Sequence, residues 1–187
     1  AGFKCQHRCD DFPAILEIVS PHRPALAVEL GTGDGGFATF LADNLVGWGG
    51  RVVTVDVERR FNPGIMWRLN LWFLQADALG CTVEDAVAAW PAGCANVAIL
   101  DVLADRPRGR CALLYCDNGH KATELRLYAP HLLQGDLLSV HDYGTEVDPG
   151  WAESFLAAYG YEPEGHAKME ALRNAWYPEP MTRFWRR

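Results

Sequence analysis

The sequence predicts an α/β fold built on a doubly wound, mostly parallel sheet with helices on both faces. Three observations predict it. Short apolar runs alternate with segments of helical periodicity, the pattern of βαβ units. A glycine-rich turn joins the first apolar run directly to a helix. Finally, each apolar run closes on a polar residue: Glu29 ahead of Gly31, then Asp56, Asp77, Asp117, and His141 with Asp142. Ligands of such sheets bind beyond the carboxyl ends of the strands, so these residues are expected along one crevice.

Taken in order, residues 11–19 read as a helix with Phe12, Ile15, Leu16 and Val19 on one face, stopped by Pro21 and Pro24. Residues 25–30 (ALAVEL) form the first strand. The turn of residues 31–36 follows, then a helix marked by Phe37, Phe40, Leu41 and Leu45 and ended by Gly47, Gly49 and Gly50. Residues 51–56 (RVVTVD) are the second strand and 71–76 the third. Val83, Ala86, Val87 and Trp90 mark another helix. The apolar residues of 96–104 fit a helix or a buried strand, and the helix is preferred. Residues 111–116 (CALLYC) are a buried strand, 121–133 a helix and 137–140 a strand closed by His141-Asp142-Tyr143. A last helix covers 151–159. The tail, 161–187, is expected to add one or two edge strands.

A length of 187 residues suits one domain, here 1–187, with a core of its own. The net charge of -7 argues against a nucleic-acid partner, which favours a basic face; the main basic cluster is Arg183, Arg186 and Arg187. No apolar run reaches the ~20 residues that span a bilayer, so no membrane role is expected. Lys4, His7, Arg8 and Asp10 interrupt any leader pattern at the start. The six cysteines do not read as a disulfide framework, and Cys111 and Cys116 look like core thiols, which fits a cytoplasmic setting. Cys5, His7 and Cys9 are of metal-ligating types, but no second ligand pair follows them, so a zinc role is not favoured.

The segment VELGTGDGG, residues 28–36, joins strand, turn and helix start. Gly31 and Gly33 allow a tight bend and close approach of a ligand, and the helix after them offers free N–H groups. Asp56 ends the next strand, where a carboxylate can accept ribose hydroxyl protons. Gly31, Gly33 and Gly36 also fit a dinucleotide loop, so a nicotinamide-dependent oxidoreductase is the competing reading. Glu29 separates the two: a carboxylate there repels a pyrophosphate but favours the amino group and sulfonium of S-adenosylmethionine.

At these residues the chain resembles the class I S-adenosylmethionine-dependent methyltransferases. VELGTGDGG looks like their first motif, VDVE (residues 55–58) like the acidic second and QADAL (75–79) like the adenine-contacting third. CDNGHKATELRLYAPHLLQGDLLSVHDY, residues 116–143, is similar to a narrower branch, the cephalosporin-hydroxylase-like and macrolide-sugar O-methyltransferases; Gly135-Asp136 stands where that branch often has Gly-Gly. The resemblance covers about residues 11–143. It implies a Rossmann-like methyltransferase fold and cofactor contacts from Glu29, Gly31, Thr32, Gly33, Gly35, Asp56, Val57, Asp77, Ala78 and Asp117. It implies a small-molecule acceptor, through a hydroxyl oxygen, and a chain able to pair with copies of itself.

A second constellation is Asp117, His120, His141 and Asp142, the candidate catalytic residues. In the related sugar and catechol enzymes, residues at these strand ends hold magnesium, which implies Asp117, His141 and Asp142 as ligands here. His141 stands where the sugar enzymes usually have an acid. Without an ion, His141 is the expected base, since an ordinary imidazole titrates near neutrality. His120 reads equally well as a residue that shapes a helix start. Trp67, Trp72 and Trp151 are candidate pocket aromatics, though core or rim packing is the commoner use. A methyltransferase-like fold that binds without catalysis is the non-enzyme alternative, against which Asp117 and Asp142 argue.

Overall fold

The computed structural model describes residue 7 and residues 10–60, 68–79, 95–172 and 182–187. The helix expected around Val83 to Trp90, Trp67, and the cysteines Cys5, Cys9, Cys81 and Cys94 lie outside them.

Seven strands form one sheet: β1 (Leu26–Leu30), β2 (Arg51–Asp56), β3 (Leu71–Gln75), β4 (Ala112–Cys116), β5 (Leu137–His141), β6 (Glu162–Glu164) and β7 (Thr182–Arg186). Their order is β3-β2-β1-β4-β5-β7-β6. The first five pair in parallel, while β7 runs antiparallel to both β5 and β6. The expected doubly wound sheet is therefore present. The tail does supply two strands, but only β6 is an edge. β7 lies inside, because Phe184 and Trp185 are too apolar to leave at a solvated rim and are both buried.

Alternation along the central strands supplies a core on each face. On one side Leu26, Val28, Leu30, Leu114 and Cys116 pack against Ile99 and Leu103 of α3 (Ala95–Ala104), Leu125 and Tyr128 of α4 (Lys121–Tyr128), and Leu156 of α5 (Pro149–Ala158). On the other, Ala27, Val52, Leu113 and Tyr115 meet Ile15 and Ile18 of α1 (Asp11–Val19), Phe37, Leu41 and Leu45 of α2 (Gly36–Leu45), and Met169 of α6 (His166–Glu170). The apolar run at 96–104 is thus a helix, as preferred.

Two boundaries differ from expectation. The helix from Lys121 ends at Tyr128 and tightens into a 3-10 turn, Ala129–His131, because Pro130 cannot continue the α-helical bonding. α5 begins at Pro149, two residues before Trp151, since the Asp148 carboxylate caps it by accepting from the Trp151 N–H at 2.7 Å. No described helix is long and apolar enough to cross a membrane. Cys111 and Cys116 are free thiols.

Candidate functional site

The strand order reverses between β1 and β4, which opens a crevice at their carboxyl ends. Gly31 sits at its apex. The Gly31 N–H donates to the Val55 carbonyl at 2.8 Å, and the Asp117 N–H donates to the Leu30 carbonyl at 2.8 Å, so three strands are laced together there. Gly31 has φ +93°, and a Cβ on it would lie 2.3 Å from the Asp117 carbonyl oxygen. Only glycine fits.

Beyond it lies a cleft of about 500 Å³, lined by the glycine loop with Glu29, Asp56, Val57, Phe37, His7 and Asp117 among others. Asp56 accepts from the Gly33 N–H through Oδ2 at 2.9 Å and from the Glu58 N–H through Oδ1 at 3.1 Å, which fixes its carboxylate at the loop. Glu29 is buried on the cleft floor. It accepts a short hydrogen bond from the Thr54 hydroxyl, which lies 2.5 Å from the Thr32 hydroxyl. Burial pushes the Glu29 carboxyl well above the usual range, against the pull of Thr54. Gly35 caps α2 with φ +79°.

Three of the candidate catalytic residues, Asp117, His141 and Asp142, meet at the end of β5. His141 Nδ1 lies 3.1 Å from Asp117 Oδ1 and 3.3 Å from Asp142 Oδ2. Burial pulls the His141 pKa down, but the hydrogen bonds that His141 donates to Asp117 and Asp142 outweigh it and hold the imidazole up at about 9. That differs from the near-neutral imidazole expected from sequence: two carboxylates demand a positive charge here, and the His141 proton supplies it. Asp142 has φ +52°, an uncommon conformation outside glycine, and the hydrogen bond from His141 lowers its pKa against burial. The buried Lys121 Nζ lies 3.5 Å from Asp117 Oδ1 and 2.9 Å from Glu146 Oε2.

Comparison with family models and with curated proteins returns no match. Solved structures do match. CmcI in its SAH form is similar over 98% of this chain and 79% of its own, at 15% identity and a TM-score of 0.66. The chain shares the methyltransferase fold. MycE methyltransferase from the mycinamycin biosynthetic pathway, in complex with Mg, SAH and mycinamycin VI, is similar over 95% of this chain and 45% of its own, at 13% identity and a TM-score of 0.55. A precorrin-6y C5,15-methyltransferase from Geobacter metallireducens is similar over 88% of this chain and 77% of its own, at 16% identity and a TM-score of 0.52.

The structure brings Glu29, Gly31, Thr32, Gly33, Gly35, Asp56, Val57 and Asp117 to one cleft, and Asp117, His141 and Asp142 to one cluster. Asp77 is exposed at the end of β3, accepting from the Leu79 N–H, and Ala78 is buried with its carbonyl taking the Tyr128 hydroxyl. Neither is among the residues lining that cleft. His120 is exposed at the start of α4, its N–H donating to Glu124 Oε1 at 3.1 Å, the helix-start use weighed from sequence. Trp72 is half exposed on β3, and Trp151 stacks on Phe155 beneath Arg126. A larger cavity, about 840 Å³, opens at the amino ends of β4 and β5 beside Arg106, Arg108 and Arg110, away from every predicted site residue.

Sequence reasoning missed two members of the cluster. Lys121 follows Asp117 by four residues, a spacing that allows an ion pair. His7 was weighed only with Cys5 and Cys9. It packs on His141 with ring centroids 4.2 Å apart, on Phe37 at 4.4 Å, and places Nε2 3.8 Å from Asp117 Oδ2. Burial and the neighbouring His141 pull the His7 pKa down to about 3, against the attraction of Asp142. Among the described residues, His7, Asp117 and His141 each offer a donor atom within 4.8 Å of the others. With a carboxylate and a buried imidazole nitrogen lacking any partner, His141 Nε2, this donor set fits a divalent cation.

Proposed function

We propose that the chain is a methyltransferase that moves the methyl group of S-adenosylmethionine to a hydroxyl oxygen of a small-molecule acceptor. The observation that carries this reading is the buried Glu29 carboxyl in the same cleft as the glycine loop and Asp56. A carboxyl buried at that depth is drawn into its ionised form by a neighbouring cation and not by a pyrophosphate, so it suits a ligand that carries an ammonium and a sulfonium. The likeness in fold to MycE, crystallised with SAH, Mg and a small-molecule acceptor, supports it.

In this reading Asp56 accepts the ribose hydroxyls, while Gly31 and Gly33 admit the ligand to the backbone. When bound, S-adenosylmethionine supplies the electrophilic methyl, which leaves sulfur for the acceptor oxygen in line. The chain's own task is to hold the acceptor at that line and take up its proton. Without a bound ion, the deprotonated fraction of His141, small at neutral pH because its pKa is about 9, accepts that proton, and Asp117 and Asp142 stabilise the imidazolium that results. A divalent cation held by Asp117 with His141, His7 or Asp142 would hold the acceptor hydroxyl and make it more acidic.

The test is methyl transfer from labelled S-adenosylmethionine to a panel of hydroxylated small molecules, with products read by mass spectrometry. Turnover by the wild type, Asp142→Asn and His141→Ala is compared with and without chelator. Both variants are expected to lose ~10²–10⁴-fold in kcat, the usual worth of positioned acid–base groups. Full turnover in both would make the cluster structural and remove the assigned roles.

A further inference from the structure

We propose that the side-chain cluster at the carboxyl ends of β4 and β5 is a site for a first-row transition-metal dication, held by His7, Asp117 and His141, and that it prefers such an ion to magnesium. The inference extends the acceptor side of the proposed function and is independent of which cofactor fills the glycine cleft.

The donors are already gathered. One atom from each of the three side chains lies within 4.8 Å of the others. Ligand atoms around such an ion sit roughly 3.0–3.5 Å apart, given metal–donor distances of about 2.1 Å. Rotamer adjustments of about an ångström therefore close the set. His141 Nε2 is buried and has no hydrogen-bond partner, a costly state for an imidazole nitrogen unless a ligand completes it. The His7 ring is oriented in advance, stacked on Phe37 and with its nitrogens 3.4 and 3.5 Å from the Tyr115 hydroxyl. Both imidazoles are almost wholly shielded from solvent. Outside the three, Asp142 Oδ2 lies 3.3 Å from His141 Nδ1, the nitrogen that also lies 3.1 Å from Asp117 Oδ1, so the two carboxylates together hold that ring. Lys121 Nζ lies 3.5 Å from Asp117 Oδ1.

The donor types choose the ion. Magnesium demands an octahedron of oxygens and gives up water reluctantly. Here two of three donors are nitrogen, and the carboxylate shares its charge with an ammonium. Imidazole nitrogen instead suits the first-row ions from manganese to zinc, with affinity rising to copper and falling again at zinc. Two imidazoles and one carboxylate are a donor set that leaves coordination positions open for an acceptor hydroxyl.

The experiment uses the full chain, stripped by chelator and dialysed. Cobalt(II) and magnesium binding are measured by equilibrium dialysis, and cobalt coordination by its visible absorption. Cobalt is expected to bind at least ~100-fold more tightly than magnesium, with a visible spectrum that millimolar magnesium leaves unchanged. His7→Ala is expected to weaken cobalt by at least ~10-fold and to change that spectrum. Magnesium binding as tightly as cobalt, cobalt failing to bind the wild type at millimolar concentration, or a folded His7→Ala with unaltered cobalt affinity each overturns the proposal. The selectivity of the wild type decides the matter even if the variant does not fold. S-adenosylhomocysteine affinity of the metal-free chain is measured alongside; its loss would count against the cofactor reading and not against the ion.

Discussion

Gly31 lies against the Asp117–Asn118 backbone that follows β4, and the crevice depends on that approach. Its φ of +93° and the 2.3 Å separation between a would-be Cβ and the Asp117 carbonyl oxygen leave no room for a side chain. Gly31→Ala is expected to cost about 1–3 kcal/mol from backbone strain alone, with more from the displaced Asp117 backbone, read as a lower midpoint in chemical denaturation. An unchanged midpoint would show that the strands relax freely. Asp56 makes a separate claim. In Asp56→Ala the ribose hydroxyls lose their acceptor, and S-adenosylhomocysteine binding should weaken by ~1–3 kcal/mol in calorimetry. Equal affinities would show that Asp56 does not reach the ribose. Glu29, Gly31 and Asp56 could be picked out from sequence because each closes an apolar strand or opens the glycine turn. His7 could not, because its partner His141 is 134 residues away in sequence and no local period joins them.

At the scale of elements, the run before β5 shows how one side chain can join distant segments. Gly135-Asp136 precedes β5, and the Asp136 carboxylate is buried. It accepts from the Ala112 N–H at 2.8 Å, the Leu133 N–H at 2.6 Å and the Arg106 guanidinium at 2.8 Å. One side chain thus ties the start of β4 to the entry of β5 and to the segment after α3. Asp136→Ala leaves Arg106 buried without its partner and is expected to cost ~3–5 kcal/mol. Urea denaturation with an unchanged slope would read this directly; a loss under 1 kcal/mol, small on the scale of typical substitutions, would contradict it. Helices and parallel strands were readable because their periods are local. The end of α4 at Pro130 and the start of α5 at Asp148 were also encoded, in a proline and a cap that the apolar pattern overshadowed. The inward position of β7 was not readable, since strand order depends on pairing between distant segments.

At the scale of the whole molecule, the seven strands of the described residues, one of them antiparallel, place the acidic strand ends along one edge of the sheet, and there the glycine-loop cleft and the His141 cluster share Asp117. That sharing is what the proposed group transfer requires, since cleft and cluster meet at a single residue. The parallel β3-β2-β1-β4-β5 part of that order also serves nicotinamide enzymes, so the ligand itself must decide. Isothermal calorimetry of the full chain with S-adenosylhomocysteine, and in parallel with NAD and NADP, tests this most directly. Saturable binding of S-adenosylhomocysteine with no heat from either dinucleotide is the predicted result. Binding of NAD or NADP with none of S-adenosylhomocysteine would contradict it.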